Sequence, residues 1–255
     1  MTGRPKRAAI GFLDGVRALF GGVWFVVTTP SAWGWAMIPV VVATLLFAGA
    51  GALAIWGGNA LSAHLLAGTA GTLATVGAWA VRITAWTVGI ILAFVIAMSL
   101  AQPLSGFALD AIARKQELAL GGKEWPEQAV ATAALRSLRV TFTALAMGLP
   151  VLALLAMITL LFPPASVVTV PLKFVVTGLL AAYDLLDYPM SLRGRSVRER
   201  LAFMRANSMA VLGFGVATAA LLLIPGVDLF LLPFGVAGAT RMVAASDDGR
   251  RLDHA

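Results

Sequence analysis

Cysteine is absent from this chain, and histidine occurs only as His64 and His254. Without thiols there are no disulfides and no thiolate metal sites. Two histidines so far apart leave little for an imidazole-based metal or catalytic centre. Charge is scarce as well. Only 12% of residues are charged, whereas a soluble domain carries about a quarter. Apolar residues take that place: 60% of the chain is hydrophobic and the mean hydropathy is +0.90. Such a composition defines an integral membrane protein. In so apolar a chain, the net charge of +7 is read as arginines at membrane borders, not as a nucleic-acid surface. No serine, histidine and acid set, no metal-ligand cluster and no phosphate loop stands out. An enzyme, a cofactor and a bound metal are therefore not expected.

The predicted fold is all-α. It has two long transmembrane helices, two helical hairpins that cross the bilayer either fully or partway, and amphipathic interfacial helices. Residues 1–255 read as a single membrane domain, with a basic arm at 1–9 and a polar tail at 246–255. Gly11–Val27 is amphipathic rather than a compact apolar core, so it is not read as a cleaved signal. Phe12, Val16, Leu19, Phe20, Val23, Trp24 and Val27 share one helical face, with Asp14 and Arg17 off it. That pattern predicts either a helix on the cytoplasmic membrane surface or the first turns of a span; the surface helix is favoured because Pro30 and Pro39 interrupt what would be a continuous span.

Trp35–Trp56 and Val76–Ala101 are the two long spans, with a small, polar linker over Gly57–Gly77. Arg82 either marks an ion path or snorkels at the outer edge beside Trp79 and Trp86. Pro103 ends the second span. Leu104, Phe107, Ala108, Ala111 and Ile112 then form a stripe, with Asp110, Arg114, Lys115 and Glu117 off it. Gly121-Gly122 breaks that helix, and Trp125-Pro126-Glu127 opens another through Arg139, too polar to cross a bilayer.

The hairpins follow. The first is Thr143–Phe162 with Val167–Tyr183, turned at Pro163–Ser166. The second is Met209–Ile224 with Leu229–Val243, turned at Pro225–Asp228. Between them lies a polar knot, Asp184–Met190, read as a joint where the chain leaves the membrane. Tyr188 would keep a wet hydroxyl there and Pro189 would break the helix. Five arginines come next, and Ser196–Glu199 matches a capping box. Nearly all lysines and arginines lie in the N-terminal arm, 103–140, 188–208 and the tail, while 57–77 and both hairpin turns have none. The positive-inside rule places those basic segments, and both termini, in the cytoplasm.

Several short motifs stand in a telling order: Gly11-Phe12, Pro30, Pro39, Ala101–Leu104 with Pro103, Asp187–Met190 with Tyr188 and Pro189, Gly213–Gly215, Ile224-Pro225, Pro233 and Ala237–Thr240 with Gly238. From about residue 10 to 245 the chain resembles the CysZ family of bacterial sulfate permeases, which shares a domain with the etoposide-induced 2.4 proteins. The resemblance implies half-penetrating hairpins, a homo-oligomer, and sulfate uptake across the bacterial inner membrane for cysteine synthesis. One feature departs from it. The family carries arginines soon after the proline matching Pro30, but here the chain reads Pro30-Ser31-Ala32-Trp33-Gly34-Trp35. Guanidinium is the best fork for an oxyanion. Their absence keeps open an alternative, a scaffold that binds membrane lipid or a partner through its basic face.

Four residues are candidates for the ion path. Lys173, alone in an apolar run, either binds an anion, pairs with Asp184 or Asp187, or snorkels. Asp187 is a cap or an ion site. Asp110 lies at a pore mouth or on the wet face of its helix. Arg193–Arg205 either attracts sulfate on the cytoplasmic side or, the favoured reading, forms a basic surface against anionic lipid. Asp228 either lines a pore or caps the helix that starts at Leu229, and its place directly before Leu229 favours the cap. Helix N-termini at the hairpin turns could replace the missing arginines.

Overall fold

The structure, a computed structural model, describes residues 10–68, 71–125, 129–224 and 227–248. Pro225 lies outside them. The described residues form α1 (Phe12–Thr28), α2 (Pro30–Leu65), α3 (Thr72–Leu104), α4 (Gly106–Ala119), α5 (Val130–Leu161), α6 (Ser166–Leu192), α7 (Val197–Ala206), α8 (Ser208–Leu222) and α9 (Asp228–Asp248), with a 3-10 turn at Pro163–Ala165. No strand occurs among them. The chain divides into two compact units, one of residues 39–105 and one of the rest.

The smaller unit is an antiparallel hairpin. Phe47 meets Phe94 edge-on, Ala54 packs on Gly89, and Trp86 Nε1 donates to the Ile55 carbonyl at 3.2 Å. The expected linker over Gly57–Gly77 is mostly helix, and the chain turns only between Leu65 and Thr72. Ala, Leu and Ser hold helix well enough there, and close packing of Gly58 on Trp86 rewards it. The positive-φ glycines Gly68 and Gly71 make the actual turn.

The larger unit carries the core. α1 packs chiefly against α8 and α9, and α6 against α5, α8 and α9. Ala18, Leu19 and Val26 of α1 are buried there, so α1 is more than a helix resting on a surface. Glycine lets the backbones touch. A Cβ on Gly215 would stand 2.7 Å from the Gly178 carbonyl oxygen, and one on Gly238 would stand 2.8 Å from the Leu19 Cα.

Prolines fall where a helix tolerates them. Pro30 opens α2. Pro39 lies inside α2 and does not end a helix. Pro103 is in the last turn of α3. The expected joint at Asp184–Met190 is not a loop: it lies inside α6, with Asp187, Tyr188, Pro189 and Met190 all buried. Tyr188 is 1% exposed, so it is not a wet interfacial residue. Proline costs one backbone bond, which packed neighbours outweigh. α6 ends instead at Arg193-Gly194, where Gly194 takes a positive φ of 65°. The separate polar helix expected through Arg139 also merges with the next span, as α5 runs unbroken from Val130.

Four helical segments are long and apolar enough to cross a membrane: Pro30–Leu65, Thr72–Leu104, Leu138–Leu161 and Pro163–Leu192. At 1.5 Å per residue α8 is only about 22 Å long, short of a core of about 30 Å. α7 and α8 meet at a 95° bend, a broken span or a re-entrant loop.

Candidate functional site

The last turns of α6 hold a sealed ion pair. Asp187, 1% exposed, pairs with Arg200 of α7, 3% exposed. Ser191 Oγ donates to the same carboxylate at 2.9 Å. The Arg200 guanidinium lies over the Tyr183 ring, 5.3 Å from its centre. Its Nε and Nη1, and the Tyr183 hydroxyl, have no hydrogen-bond partner among the described residues. Local sequence sets this up. Gly194 turns the chain, and the Ser196 box starts α7 so that its fourth residue, Arg200, faces α6. In the box, Ser196 N–H donates to Glu199 Oε2 at 2.7 Å. This bond and the Ser196 hydroxyl hold the Glu199 carboxyl below its ordinary pKa.

Beside it Arg193 joins three helices. Its Nη2 donates to both carboxylate oxygens of Glu117 (α4) at 2.7 Å, and its Nε to Asp247 (α9) at 3.1 Å. Its Nη1 caps the Pro189 carbonyl of α6 at 2.9 Å. Arg195 Nη2 meets the other Asp247 oxygen at 2.5 Å. A cavity of about 510 Å³ opens next to this network, lined by Glu117, Lys123, Trp125, Arg195 and Asp247 among others.

Lys173 stands elsewhere. Its Nζ donates to Thr159 Oγ1 across the α5–α6 hairpin at 2.9 Å. Thr159 and Thr169 share a 2.6 Å hydrogen bond, and Thr159 donates to the Leu155 carbonyl at 2.7 Å. Lys173 pairs with neither Asp184 nor Asp187. Those lie about 17 and 21 Å further along the helix at 1.5 Å per residue. Among the described residues no carboxylate forms an ion pair with it.

Asp110 is 1% exposed and Glu117 6%, so neither lies on a wet helix face. Both Asp110 and Asp184 have polar partners. Arg193 and Arg200 are inside the protein, not spread on lipid; only Arg198 and Arg205 of the five remain exposed. The sequence reading missed these two buried arginines. The signal for them was the Gly194 turn followed by the capping box, which fixes where α7 can point. It also missed Arg241 of α9, whose buried Nε abuts Gly21 and has no hydrogen-bond partner among the described residues. α9 takes Asp228 as its first residue, and the capping role expected of its side chain lies outside what the structure describes. No group of three or more metal-ligating side chains occurs among the described residues.

Four apolar helices of spanning length define a multi-pass helical membrane protein, one of them, α6, closed at its end by a sealed ion pair with α7. The chain belongs to the family described as sulfate transporter CysZ/etoposide-induced protein 2.4, whose model matches residues 18–233. It is similar to the sulfate transporter CysZ of Pseudomonas aeruginosa, 32% identical over 100 residues, which cover 39% of this chain and 41% of that protein. The CysZ of Pseudomonas paraeruginosa is 35% identical over 88 residues, covering 34% and 36%. That of Pseudomonas fluorescens is 34% identical over 80 residues, covering 31% and 32%. Each alignment thus spans less than half of the relative's length.

Proposed function

We propose that this chain moves sulfate, or a related oxyanion, across the bacterial inner membrane and so feeds sulfate assimilation. Both termini lie in the cytoplasm, and the working form is a homo-oligomer in membrane lipid. No covalent chemistry is involved. The observation that carries the reading is Lys173. An ammonium group sits inside a segment long enough to span, held by the Thr159 hydroxyl, which Thr169 hydrogen-bonds in turn, and among the described residues it is paired with no carboxylate. A charge at membrane depth is costly and marks a substrate path by default. A positive charge left uncompensated suits a dianion. Lys173 thus takes the part of the arginines missing after Pro30, with half-buried Asp184 bordering the path towards the cytoplasm and the sealed Asp110 and Asp187 supporting its wall from behind.

The second reading is a lipid- or partner-binding scaffold, favoured by the arginine-free stretch Ser31–Trp35 and by exposed Arg198 and Arg205. Expression in a bacterial strain lacking its own sulfate permeases separates the two. Growth on limiting sulfate, lost in Lys173→Ala at equal membrane abundance, is the expected result. A well-expressed chain that never restores growth would favour the scaffold.

A further inference from the structure

Between Pro30 and Leu109, Arg82 is the only residue with a formal charge at neutral pH. It does not behave as a snorkelling side chain, which would extend away from the helices towards water. It turns across the hairpin instead. Its Nε donates to Ser62 Oγ on α2 at 2.7 Å, and Ser62 is itself only 1% exposed. Its guanidinium carbon lies 5.6 Å from the centre of the Trp79 ring, and Trp79 is braced edge-on by Trp86 at 6.4 Å. The guanidinium is thus fixed at one end and on one face, which leaves its two Nη groups as the working edge. A cavity of about 360 Å³ opens there, lined by Ser62, Ala63, Thr75, Ala78, Trp79 and Arg82 among others, with no carboxylate on its wall among the described residues.

We propose that the tip of the α2–α3 hairpin is a binding site for a tetrahedral oxyanion, held bidentately by the Nη edge of Arg82 inside this cavity. A planar fork of two N–H donors matches two oxygens of such an anion. A cation with no acidic neighbour has charge to offer. The wall of small side chains leaves room for the anion and accompanying water. Tryptophans favour the membrane border, and Trp56, Trp79 and Trp86 cluster at this end of the hairpin. α3 at 33 residues is about 50 Å long, well beyond a bilayer core of about 30 Å. The tip therefore stands among headgroups or above them. The bound group is either a free oxyanion or the phosphate of a lipid. The position on the outer side rests on the transport reading and its topology; the chemistry of the site does not.

The test is tryptophan fluorescence of the full chain in a maltoside detergent, titrated with sulfate, inorganic phosphate or chloride at matched ionic strength. A parallel titration uses phosphatidylglycerol. Saturable change with sulfate or phosphate, but not chloride, is expected. In Arg82→Gln the half-saturating concentration should rise at least tenfold, with partial recovery in Arg82→Lys. Trp79→Phe should remove most of the signal. Change with phosphatidylglycerol alone, still dependent on Arg82, would assign the site to a lipid headgroup. No Arg82-dependent change with any of them, in samples that melt as the parent does, would overturn the proposal. Sulfate uptake into liposomes, measured separately, keeps the two ideas apart, since the site can bind in a chain that does not transport.

Discussion

Asp187 and Arg200 illustrate what burial does to a single ion pair. Each alone would be a charge sealed from water, so removing either partner strands the other. Asp187→Asn should destabilise the protein by about 3–5 kcal/mol, read as a lowered thermal midpoint in detergent. The double variant Asp187→Asn with Arg200→Gln should lose less than the sum of the two single changes. Glu199 is a milder case and gives a pH dependence. Its carboxyl is held below the ordinary value by Ser196. The stabilisation is therefore present above the unfolded-state pKa and is lost as pH falls through the lowered folded value. Hydrogen exchange should show the first turn of α7 losing protection on acidification; Ser196→Ala, which keeps the backbone N–H donor, should weaken that dependence, and Glu199→Gln should remove it. On the proposed reading, Lys173 is the residue on which transport depends. Replacement by alanine should cut sulfate flux at least tenfold, while arginine, which keeps the charge, should retain part of it.

At the scale of the helices, small residues set the distances. α6 and α8 touch backbone to backbone at Gly178 and Gly215. Gly215→Ala should therefore push them apart and cost about 1–3 kcal/mol as overpacking. Gly49→Ala, with nothing within 4 Å of the added carbon, should be neutral or slightly stabilising. The spans, the Pro163–Ala165 turn and the Ser196 box were legible in the sequence because hydrophobic length and capping chemistry are local signals. The polar knot was misread because Asp184–Met190 looks like an exit only while its partners are unknown. Arg200, thirteen residues after Asp187, makes the same residues an interior. Asp110 was misread for a related reason: a helical stripe shows which face is apolar, not whether the other face meets water or a neighbouring helix. The linker at Gly57–Gly77 failed because polarity and small size do not by themselves end a helix.

The molecule as a whole combines a long hairpin with a larger helical unit whose basic segments all fall on one predicted side. The absence of cysteine makes that sidedness easy to test. In right-side-out cells, Ala67→Cys at the tip of the α2–α3 hairpin should react with an impermeant maleimide, and Arg198→Cys should react only after the membrane is opened. The reverse pattern would invert the topology. Transport itself is tested most directly by labelled-sulfate uptake into liposomes containing the purified chain, with empty liposomes and Lys173→Ala beside it. The account predicts saturable uptake, competed by related oxyanions and largely lost in the variant. A folded sample that takes up no sulfate above empty liposomes would contradict it.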